Sequence, residues 1–312
     1  MQKGFKGEDM LYFDIHDAQT GTVVPFHDFL ETYKPKILSS SIKGCIDSQE
    51  YVDYCKNLQK KYNLIINNCA GNEGEGTPDT LSYTFPAEVA FIIGACTLDK
   101  KGKPQKASYS SIGEELDFMN FVGFQSGTSF ATPWTAGEEA LIIQRYGDMS
   151  AEEMYKYLKF CCEDMLTVGD DTKTGWGLIR LPQLNKKYIT LTVDNTEYKV
   201  DGKKFIADVA PVNKEGNVFV PLRVIGEALG KTFKTKSISN GVVEIEITDG
   251  INIVKMTTGS NIMFINGAKV ILNFAPYIQN NRTLVPCRAI AEAFGCLVEW
   301  IQSEKKVMIL EK

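Results

Sequence analysis

The stretch "FQSGTSFATPWTAG" (residues 124–137) places Ser129 directly after a glycine–threonine pair. From Thr128 the chain continues as "TSFATPWTAGEEALIIQRYG", whose spacing predicts one long helix ended by Gly147. A serine at the start of a helix lies near backbone N–H groups that have no partner inside the helix, and these groups favour developing negative charge. The segment therefore suggests a nucleophilic serine, and the question is what would activate it.

Around this segment, apolar runs typical of strands alternate with helical stretches. The predicted strands are "MLYFDIHD" (10–17), "PKILSSSI" (35–42), "NLIINNCAG" (63–71) and "VAFIIGACTL" (89–98). A helix is predicted at "SQEYVDYCKNLQKKY" (48–62), and another at "SAEEMYKYLKFCCEDM" (150–165), which opens with a capping box of Ser150 and Glu153. This alternation predicts an α/β fold with a parallel sheet and flanking helices.

The pattern changes from about residue 188. Apolar and polar residues alternate in "YITLTVDNTEYKV" (188–200), "VVEIEIT" (242–248) and "INIVKMTT" (251–258), as in antiparallel strands covered on one face. The segment "VPLRVIGEALG" (220–230) returns as "VPCRAIAEAFG" (285–295), each predicting an extended stretch, a short helix after the proline, and a glycine C-cap. We expect two domains, 1–184 and a smaller α+β domain of two repeats at 188–312, with the boundary in "LPQLNKKY" (181–188).

Composition excludes several classes of partner. The net charge of −5 gives no electrostatic reason to expect nucleic acid or an anionic membrane as a partner, and no apolar run is long enough to span a bilayer. The first residues, "MQKGFKGEDMLYFDIHD", lack the apolar core of a secretory signal. The eight cysteines show no paired spacing for zinc, so free and mostly buried thiols are expected, with Cys161 and Cys162 adjacent in a helix. We expect no cofactor, and a cytoplasmic location for the chain as written.

Four motifs carry a resemblance to a known family. "GTSFATPWTAG" (127–137) resembles the serine motif of the subtilisin-like serine peptidases, and "NCAGNEG" (68–74) resembles their oxyanion-hole motif. "ASYSSIGEELDFM" (107–119) is similar to the strand and turn before that serine, and "GWGLIRL" (175–181) to the segment that closes the domain. The motifs occur in the family's order. The resemblance implies a serine endopeptidase fold with a polypeptide substrate.

The resemblance also implies roles for individual residues. Ser129 would be the nucleophile, and Asn72 would donate a side-chain hydrogen bond to the oxyanion beside the Ser129 backbone N–H. Residues 11–44 resemble the family segment that leads into a substrate-binding strand. On that basis one wall of the specificity pocket consists of Ser41, Ile42, Lys43 and Gly44, and the opposite wall of Ala70 and Gly71. Lys43 departs from the small residue that is usual in the family.

The activating residues of the family are not recognisable in these 312 residues. The family has an Asp-x-Gly motif and a His-Gly-Thr-His motif before the serine, and neither occurs here. Of the two histidines, His16 is flanked by Asp14 and Asp17 and is either a substitute base near the cleft or a solvated loop residue. His27 is expected on a helix face in a structural role. A serine without a base is a poor nucleophile, so we expect the chain to be inactive by itself.

Three interpretations of the missing partners stay open: a fragment of a longer product, a chain that pairs with another carrying the aspartate and histidine, or a pseudo-enzyme. If the first strands of the domain are missing, the exposed sheet edge predicts such a partner, self-association or poor solubility. As a pseudo-enzyme, the chain would be a non-catalytic protein that binds a polypeptide or a cell surface.

The C-terminal repeat carries a second resemblance. "FINGAKVILNFAPYIQNNRTLVPCRAIAEAFGCLVEW" (264–300) resembles the stalk-like domain named after the N-terminal domain of copper amine oxidases. No histidine follows residue 27, so no copper site is expected there. Arg223 and Arg288 recur at the same repeat position, either as a binding surface or as a helix cap or ion pair. Since the family appends such domains to secreted enzymes, the resemblance implies a secreted or cell-surface location if the N-terminus is truncated.

Two further segments contain residue types that occur in binding sites. "GNEGEG" (71–76) lacks the lysine and the spacing of a phosphate-binding loop. "VGDDTKTG" (168–175) has paired aspartates that suggest either calcium or a turn, and its spacing does not match an EF-hand.

Overall fold

The computed structural model describes residues 26–42, 49–75, 81, 84–181, 184, 186–239 and 241–312. The chain divides into two compact units, one formed by residues 1–141 and 149–182 and the other by residues 142–148 and 183–312. Several predicted features lie outside the described residues: the strand "MLYFDIHD" with Asp14, His16 and Asp17, and the pocket residues Lys43 and Gly44. His27 lies in a helix, but its side chain is also outside the described part.

The first unit is built on a seven-stranded sheet. Its elements are α1 (Phe26–Tyr33), β1 (Ile37–Ser40), α2 (Gln49–Tyr62), β2 (Ile65–Cys69), β3 (Ala90–Leu98), β4 (Pro104–Lys106), β5 (Phe118–Phe121), α3 (Thr128–Tyr146), α4 (Ala151–Cys161), β6 (Cys162–Glu163) and β7 (Leu178–Ile179). The strand order is β1-β2-β3-β5-β7-β6, with β4 paired to β3. Strands β1, β2, β3, β5 and β7 are parallel, whereas β4 and β6 are antiparallel to their neighbours. The predicted α/β class is confirmed.

Helices cover both faces of this sheet. On one face, Leu38 and Ile66 pack in a single cluster with Leu30 of α1 and Leu58 of α2. On the other face, Phe118 contacts Tyr155 of α4, with their ring centroids 5.1 Å apart. Helix α3 lies on this second face, because its acidic side chains bond the asparagines of β2 and β5. Since β1 and β2 are parallel, their carboxyl ends meet at one edge, and the start of α3 lies there too.

The sequence predicted the end of α3 and the start of α4 correctly, but not the end of α4. Helix α3 ends at Tyr146 and Gly147 follows with a φ of 87°, as predicted. Ser150 caps α4 and accepts a 3.2 Å hydrogen bond from the Glu153 N–H, which is the N-cap half of the predicted capping box. The expectation that Cys161 and Cys162 share this helix is wrong. Cys162 has an extended backbone and begins β6, where it pairs with Ile179.

The second unit consists of short strands and two short helices. They are β8 (Tyr188–Thr192), β9 (Glu197–Val200), β10 (Lys203–Ile206), β11 (Val212–Lys214), β12 (Asn217–Pro221), α5 (Leu222–Leu229), β13 (Thr232–Ser237), β14 (Val243–Thr248), β15 (Ile253–Thr257), β16 (Ile262–Ile265), β17 (Ala268–Ile271), β18 (Tyr277–Gln279), β19 (Arg282–Pro286), α6 (Cys287–Ala293), β20 (Cys296–Ile301) and β21 (Lys306–Glu311). A glycine in the left-handed region, Gly230, caps α5 as predicted. For α6 the prediction is wrong by one residue, because Phe294 is the C-cap and Gly295 follows it.

The two repeats of this unit exchange strands. One sheet has the order β10-β9-β8-β21-β20, so the start of the first repeat pairs with the end of the second. Another has the order β13-β14-β15-β16-β17, which joins the end of the first repeat to the start of the second. In the third sheet, β11-β12-β19-β18, Val220 pairs with Val285, its equivalent in the other repeat. The repeats are therefore related by a pseudo-twofold axis and share one core.

Candidate active site

The loop after β2 is held in a fixed shape by its own polar groups. Gly71 has a φ of 104°, a backbone conformation that side-chain-bearing residues rarely adopt, so the position favours glycine. The Glu73 carboxylate accepts hydrogen bonds from the Asn72 N–H at 2.7 Å and from the Ser111 hydroxyl at 3.0 Å. Further along, Gly74 N–H donates to Tyr109 O at 2.8 Å. The loop therefore presents Asn72 in one orientation.

Asn72 is joined directly to the start of α3. Its Oδ1 atom accepts hydrogen bonds from the Thr128 N–H at 2.9 Å and from the Thr128 hydroxyl at 3.2 Å. With Oδ1 engaged, the amide group Nδ2 is the free donor end, and no described residue accepts a hydrogen bond from it. Asn72 is exposed, so this donor is open to a bound molecule. The arrangement provides an oriented N–H pair beside the residue that precedes Ser129.

Ser129 is the second residue of α3 and is half-buried. No described residue forms a hydrogen bond with its hydroxyl or with its backbone N–H, as expected for the first turn of a helix. Its carbonyl cannot receive the usual bond from four residues on, because residue 133 is proline and has no N–H. The Ser41 hydroxyl donates to this carbonyl instead, at 2.9 Å. Ser41 thus ties the end of β1 to the backbone of Ser129.

This tie gives a testable prediction. Ser41→Ala should lower the free energy of unfolding by about 1 kcal/mol, because it leaves the Ser129 carbonyl without its side-chain donor. In a Pro133→Ala background the helix regains an N–H at position 133, and the same change at Ser41 should cost clearly less. Chemical denaturation of the four proteins of this double-mutant cycle measures the difference. An equal cost of Ser41→Ala in both backgrounds would contradict the account.

The predicted pocket residues that the structure describes lie at the ends of two adjacent strands. Ser41 and Ile42 follow β1, and Ala70 and Gly71 follow β2. The two segments are in contact, because Ile42 O accepts a bond from Cys69 Sγ at 3.9 Å. The Thr84 hydroxyl donates to the same carbonyl at 2.6 Å. The structure thus brings these four residues together with Asn72 and Ser129, while Lys43 and Gly44 lie outside the described residues.

Two acidic side chains are buried behind the serine on α3. Glu139 is fully buried and accepts a 2.7 Å hydrogen bond from Asn67 Nδ2. Burial raises the pKa of the Glu139 carboxyl to about 8, and its neighbour Glu138 adds to the rise. Glu138 accepts a 2.6 Å hydrogen bond from Asn120 Nδ2, and burial raises its pKa to about 7. Glu139 is therefore mostly neutral near pH 7, whereas Glu138 is only about half protonated there. Both side chains join α3 to the sheet through their asparagine partners.

The paired aspartates at 170–171 belong to a turn. Asp171 Oδ1 accepts the N–H groups of Lys173 and Thr174 at 2.8 and 2.9 Å, and Oδ2 accepts the Thr174 hydroxyl. These bonds hold the pKa of Asp171 below its usual value, against the effect of burial. The turn interpretation therefore accounts for the segment. No group of three or more potential metal ligands occurs within the described ranges.

The structure also shows the surroundings of the cysteines and of the two repeat arginines. Seven cysteines are free, and all of them except Cys162 are buried, while Cys45 is not described. Arg288 donates to Val298 O at 2.7 Å and to Glu292 at 3.2 Å, which supports the ion-pair interpretation for that position. Arg223 is exposed, and its charge helps to lower the pKa of Asp208, whose largest effect comes from the hydrogen bond with Arg282.

Sequence reasoning missed Thr128, Glu73 and Ser111, which position Asn72 through hydrogen bonds. It also missed the bond from Ser41 to Ser129, although Pro133 four residues after the serine was a usable signal.

Comparison with known proteins agrees with both parts of the chain. Residues 31–177 match the model of the subtilase family. Residues 179–243 and 240–309 each match the model of the copper amine oxidase N-terminal domain.

Individual relatives are similar to the first part. Subtilisin DY from Bacillus licheniformis is 30% identical over 131 residues, which cover 38% of this chain and 45% of that protein. An extracellular serine protease from Serratia marcescens is 27% identical over 181 residues, covering 55% of this chain and 17% of that protein. Among solved structures, Sphericase shares 21% identity over 49% of this chain and 60% of that chain, with a TM-score of 0.42. The chain spans less than half the length of the two sequence relatives.

Proposed function

Because residues 31–177 of this chain belong to the subtilase family of serine peptidases, we propose that they carry the serine-bearing part of a peptidase active site. In this proposal Ser129 is the nucleophile, and Asn72 Nδ2 and the Ser129 N–H bind the oxyanion. The substrate is a polypeptide, held between Ser41, Ile42, Lys43 and Gly44 on one side and Ala70 and Gly71 on the other.

The observation that carries the proposal is the contact between Asn72 and Thr128. Because the Thr128 N–H bonds Asn72 Oδ1, Asn72 is held at the first turn of α3, next to Ser129. In this proposal the free amide donor and the Ser129 N–H bind the same oxyanion. Donors that are already oriented stabilise negative charge without the cost of reorganising during the reaction. A purely structural serine would not need this pair of open donors beside it.

The proposed chemistry is acyl transfer. The Ser129 hydroxyl oxygen bonds to the carbonyl carbon of the scissile peptide as a base takes its proton, and the carbonyl oxygen becomes the bound oxyanion. Collapse of this intermediate breaks the C–N bond, returns a proton to the leaving amine and leaves an acyl-enzyme. Water, deprotonated by the base, then adds to the acyl carbon and forms a second oxyanion held by the same donors. Its collapse breaks the ester bond to Ser129, and the base returns the proton to the serine oxygen.

The base is the component that these 312 residues do not supply in recognisable form. The family's Asp-x-Gly and His-Gly-Thr-His motifs do not occur in the sequence, and of its two histidines only His16 is a candidate substitute. We propose that the chain is inactive alone and gains activity when another polypeptide segment provides an aspartate and a histidine. The oxyanion donors by themselves would leave only a residual of roughly 10³–10⁴ over water.

A labelling experiment with an added base tests this proposal. The purified chain, Ser129→Ala and Asn72→Ala are treated with a fluorophosphonate probe, with and without excess imidazole at neutral pH. We expect little labelling without imidazole and clear labelling of the unmodified chain with it, because imidazole replaces the absent base. Asn72→Ala should be labelled more slowly, by up to about 10²-fold, and Ser129→Ala not at all.

Two results would count against the proposal. Equal labelling of the unmodified chain and Ser129→Ala means that the probe reacts elsewhere. No labelling of a folded sample in imidazole means that Ser129 is not a nucleophile, and it favours the alternative of a non-catalytic protein that binds polypeptide or a cell surface. Circular dichroism of each sample establishes that it is folded.

The cellular location is also a proposal. The free, buried thiols support a reducing compartment such as the cytoplasm, whereas the Serratia marcescens relative is named as an extracellular protease. None of the described helices could cross a membrane. We propose a secreted or cell-surface location for a longer product that carries the complete peptidase, which fractionation of producing cells and immunoblotting would test.

A further inference from the structure

A cleft of about 400 Å³ opens in the second repeat of the C-terminal unit. It lies between the β16–β17 hairpin, helix α6 and strand β12. Its walls include apolar side chains of the hairpin, Met263, Ile265 and Val270, and its rim includes Asn217 and Asn273. A volume in this range is typical of sites that bind a ligand.

The pseudo-twofold axis allows this cleft to be compared with the equivalent place in the first repeat. The matching strand pairs Lys214–Asn217 and Gln279–Arg282 show that Asn217 corresponds to Arg282. The offset in residue number that relates Asn217 to Arg282 also relates Asp208 to Asn273, so these two residues correspond. At that place Arg282, from β19 of the second repeat, and Asp208, from the first repeat, form an ion pair. At the cleft the equivalent positions hold two uncharged amides, Asn217 from the first repeat and Asn273 from the second.

The cleft lies beside a free sheet edge. Strand β17 is the last strand of its sheet, and no described strand pairs with its outer side. Asn266 and Gly267, both with positive φ, form the two-residue turn before it, which makes Ile265–Ala268 and Met263–Val270 the hydrogen-bonded pairs. The main-chain groups of Lys269 and Ile271 therefore point outward. Ile271 is 60% exposed, so this edge is accessible.

The charges on the outer face of the sheet indicate what would fit this edge. Lys234, Glu246, Lys255, Phe264 and Lys269 lie side by side across the five strands. Charges alternate at the start of this row, where Lys255 and Glu246 form a 3.0 Å ion pair. The row ends in Lys269 at the free edge. An added strand with an acidic residue beside Lys269 would continue the alternation.

We propose that the β17 edge and its cleft bind an extended polypeptide segment as an additional strand. Its main chain pairs with Lys269 and Ile271, and alternate apolar side chains enter the cleft beside Val270. The side chains between them face outward, with an acidic one next to Lys269. This site is in the C-terminal unit and does not involve Ser129, so it stands or falls independently of the proposed peptidase activity.

The test uses a fluorescein-labelled peptide, Ser-Val-Glu-Val-Ser-Val-Ser, and the full chain in a fluorescence polarisation titration. We expect saturable binding, and loss of binding for a peptide N-methylated at the glutamate and at the next serine. Ile271→Pro removes an outward N–H without breaking the β16–β17 ladder and should weaken binding about tenfold or more. Its matched control is Ile206→Pro, at the equivalent edge position of β10, which should bind as the unmodified chain does.

A second variant closes the cleft without touching the edge. The double substitution Asn217→Arg with Asn273→Asp recreates the Arg282–Asp208 ion pair at the cleft and should also abolish binding. Retained affinity in both Ile271→Pro and this variant would overturn the proposal, as would the absence of binding by the unmodified chain. A concentration-dependent dimer in sedimentation that Ile271→Pro disrupts would assign the edge to a second copy of the chain, and would also overturn it.

Discussion

Glu139→Gln is expected to remove a large part of the pH dependence of stability of the N-terminal unit. The folded pKa of Glu139 is raised to about 8 from an ordinary value of 4.5, so the folded state holds a proton that the unfolded state releases. Between these two values the folded state binds more protons than the unfolded state, and the free energy of unfolding therefore falls as the pH rises. The full effect of such a shift is on the order of 5 kcal/mol.

The direction of this dependence is opposite to that of a salt-bridged carboxylate. Stability from the neutral Glu139 side chain is complete below the unfolded pKa and is lost as the pH approaches and passes the folded pKa. Glutamine has the same shape, stays neutral at every pH and still accepts a hydrogen bond from Asn67. The variant should match the unmodified chain at about pH 5 within about 1 kcal/mol and exceed it by several kcal/mol at about pH 9.

Urea denaturation of the two proteins across this pH range measures the difference. Burial also raises the pKa of Asp117 and Glu138 to about 7, so the unmodified chain and the variant share part of the dependence, and only their difference reports Glu139. Glu138→Gln is the matched control, because it removes an adjacent acid that is less buried. A constant difference between the unmodified chain and Glu139→Gln at all pH values would contradict the account.

The sequence predicted the local structure of the first unit well, because its signals are local. The runs that became β1, β2 and β3 are short and apolar, and the cap of Ser150 depends on residues three apart. What it did not predict were contacts between distant segments. The bond from Ser41 to Ser129 joins residues 88 positions apart and exists because Pro133 removes a donor.

The burial of two acidic residues was also not predicted from the sequence. Glu138 and Glu139 were included in the predicted helix as part of its helical spacing, and nothing in the spacing marks either as buried. Both acids are bonded by asparagines of the sheet, Asn67 in β2 and Asn120 in β5. These asparagines are distant in sequence, so the local pattern around the acids does not reveal the contacts. A pair of polar residues on strands that are otherwise apolar was the available signal.

The repeat at 220–230 and 285–295 was visible in the sequence, but the exchange of strands between repeats was not. Two similar repeats could fold as two separate modules or as one unit with exchanged strands. The local sequence pattern of each repeat would be the same in both arrangements. The difference lies in which strand is next to which, and pairing partners such as β8 and β21 are more than 100 residues apart. Only the three-dimensional structure distinguishes them.

Removal of the last strand is expected to unfold the entire C-terminal unit, including the first repeat. Strand β21 lies between β8 of the first repeat and β20 of the second and pairs with both. A chain that ends at Lys305 loses four buried side chains, Val307, Met308, Ile309 and Leu310. Each is worth about 1.5–3 kcal/mol, and together they approach the total stability of a typical domain, about 5–15 kcal/mol.

The measurement is an amide NMR spectrum of the truncated chain beside two references. Deletion of Lys312 alone is the matched control, since this residue is exposed and follows β21. It should change only signals near Lys186, whose side chain donates to the Lys312 carbonyl. A synthetic peptide of residues 303–312 added to the truncated chain should restore dispersed signals, because it supplies the missing strand. If the repeats were independent, truncation would disturb only signals of the second repeat, and residues of β8, β9 and β12 would keep their positions. Because β8 would lose one of its two neighbouring strands and the shared core would open, we expect all of these signals to collapse together.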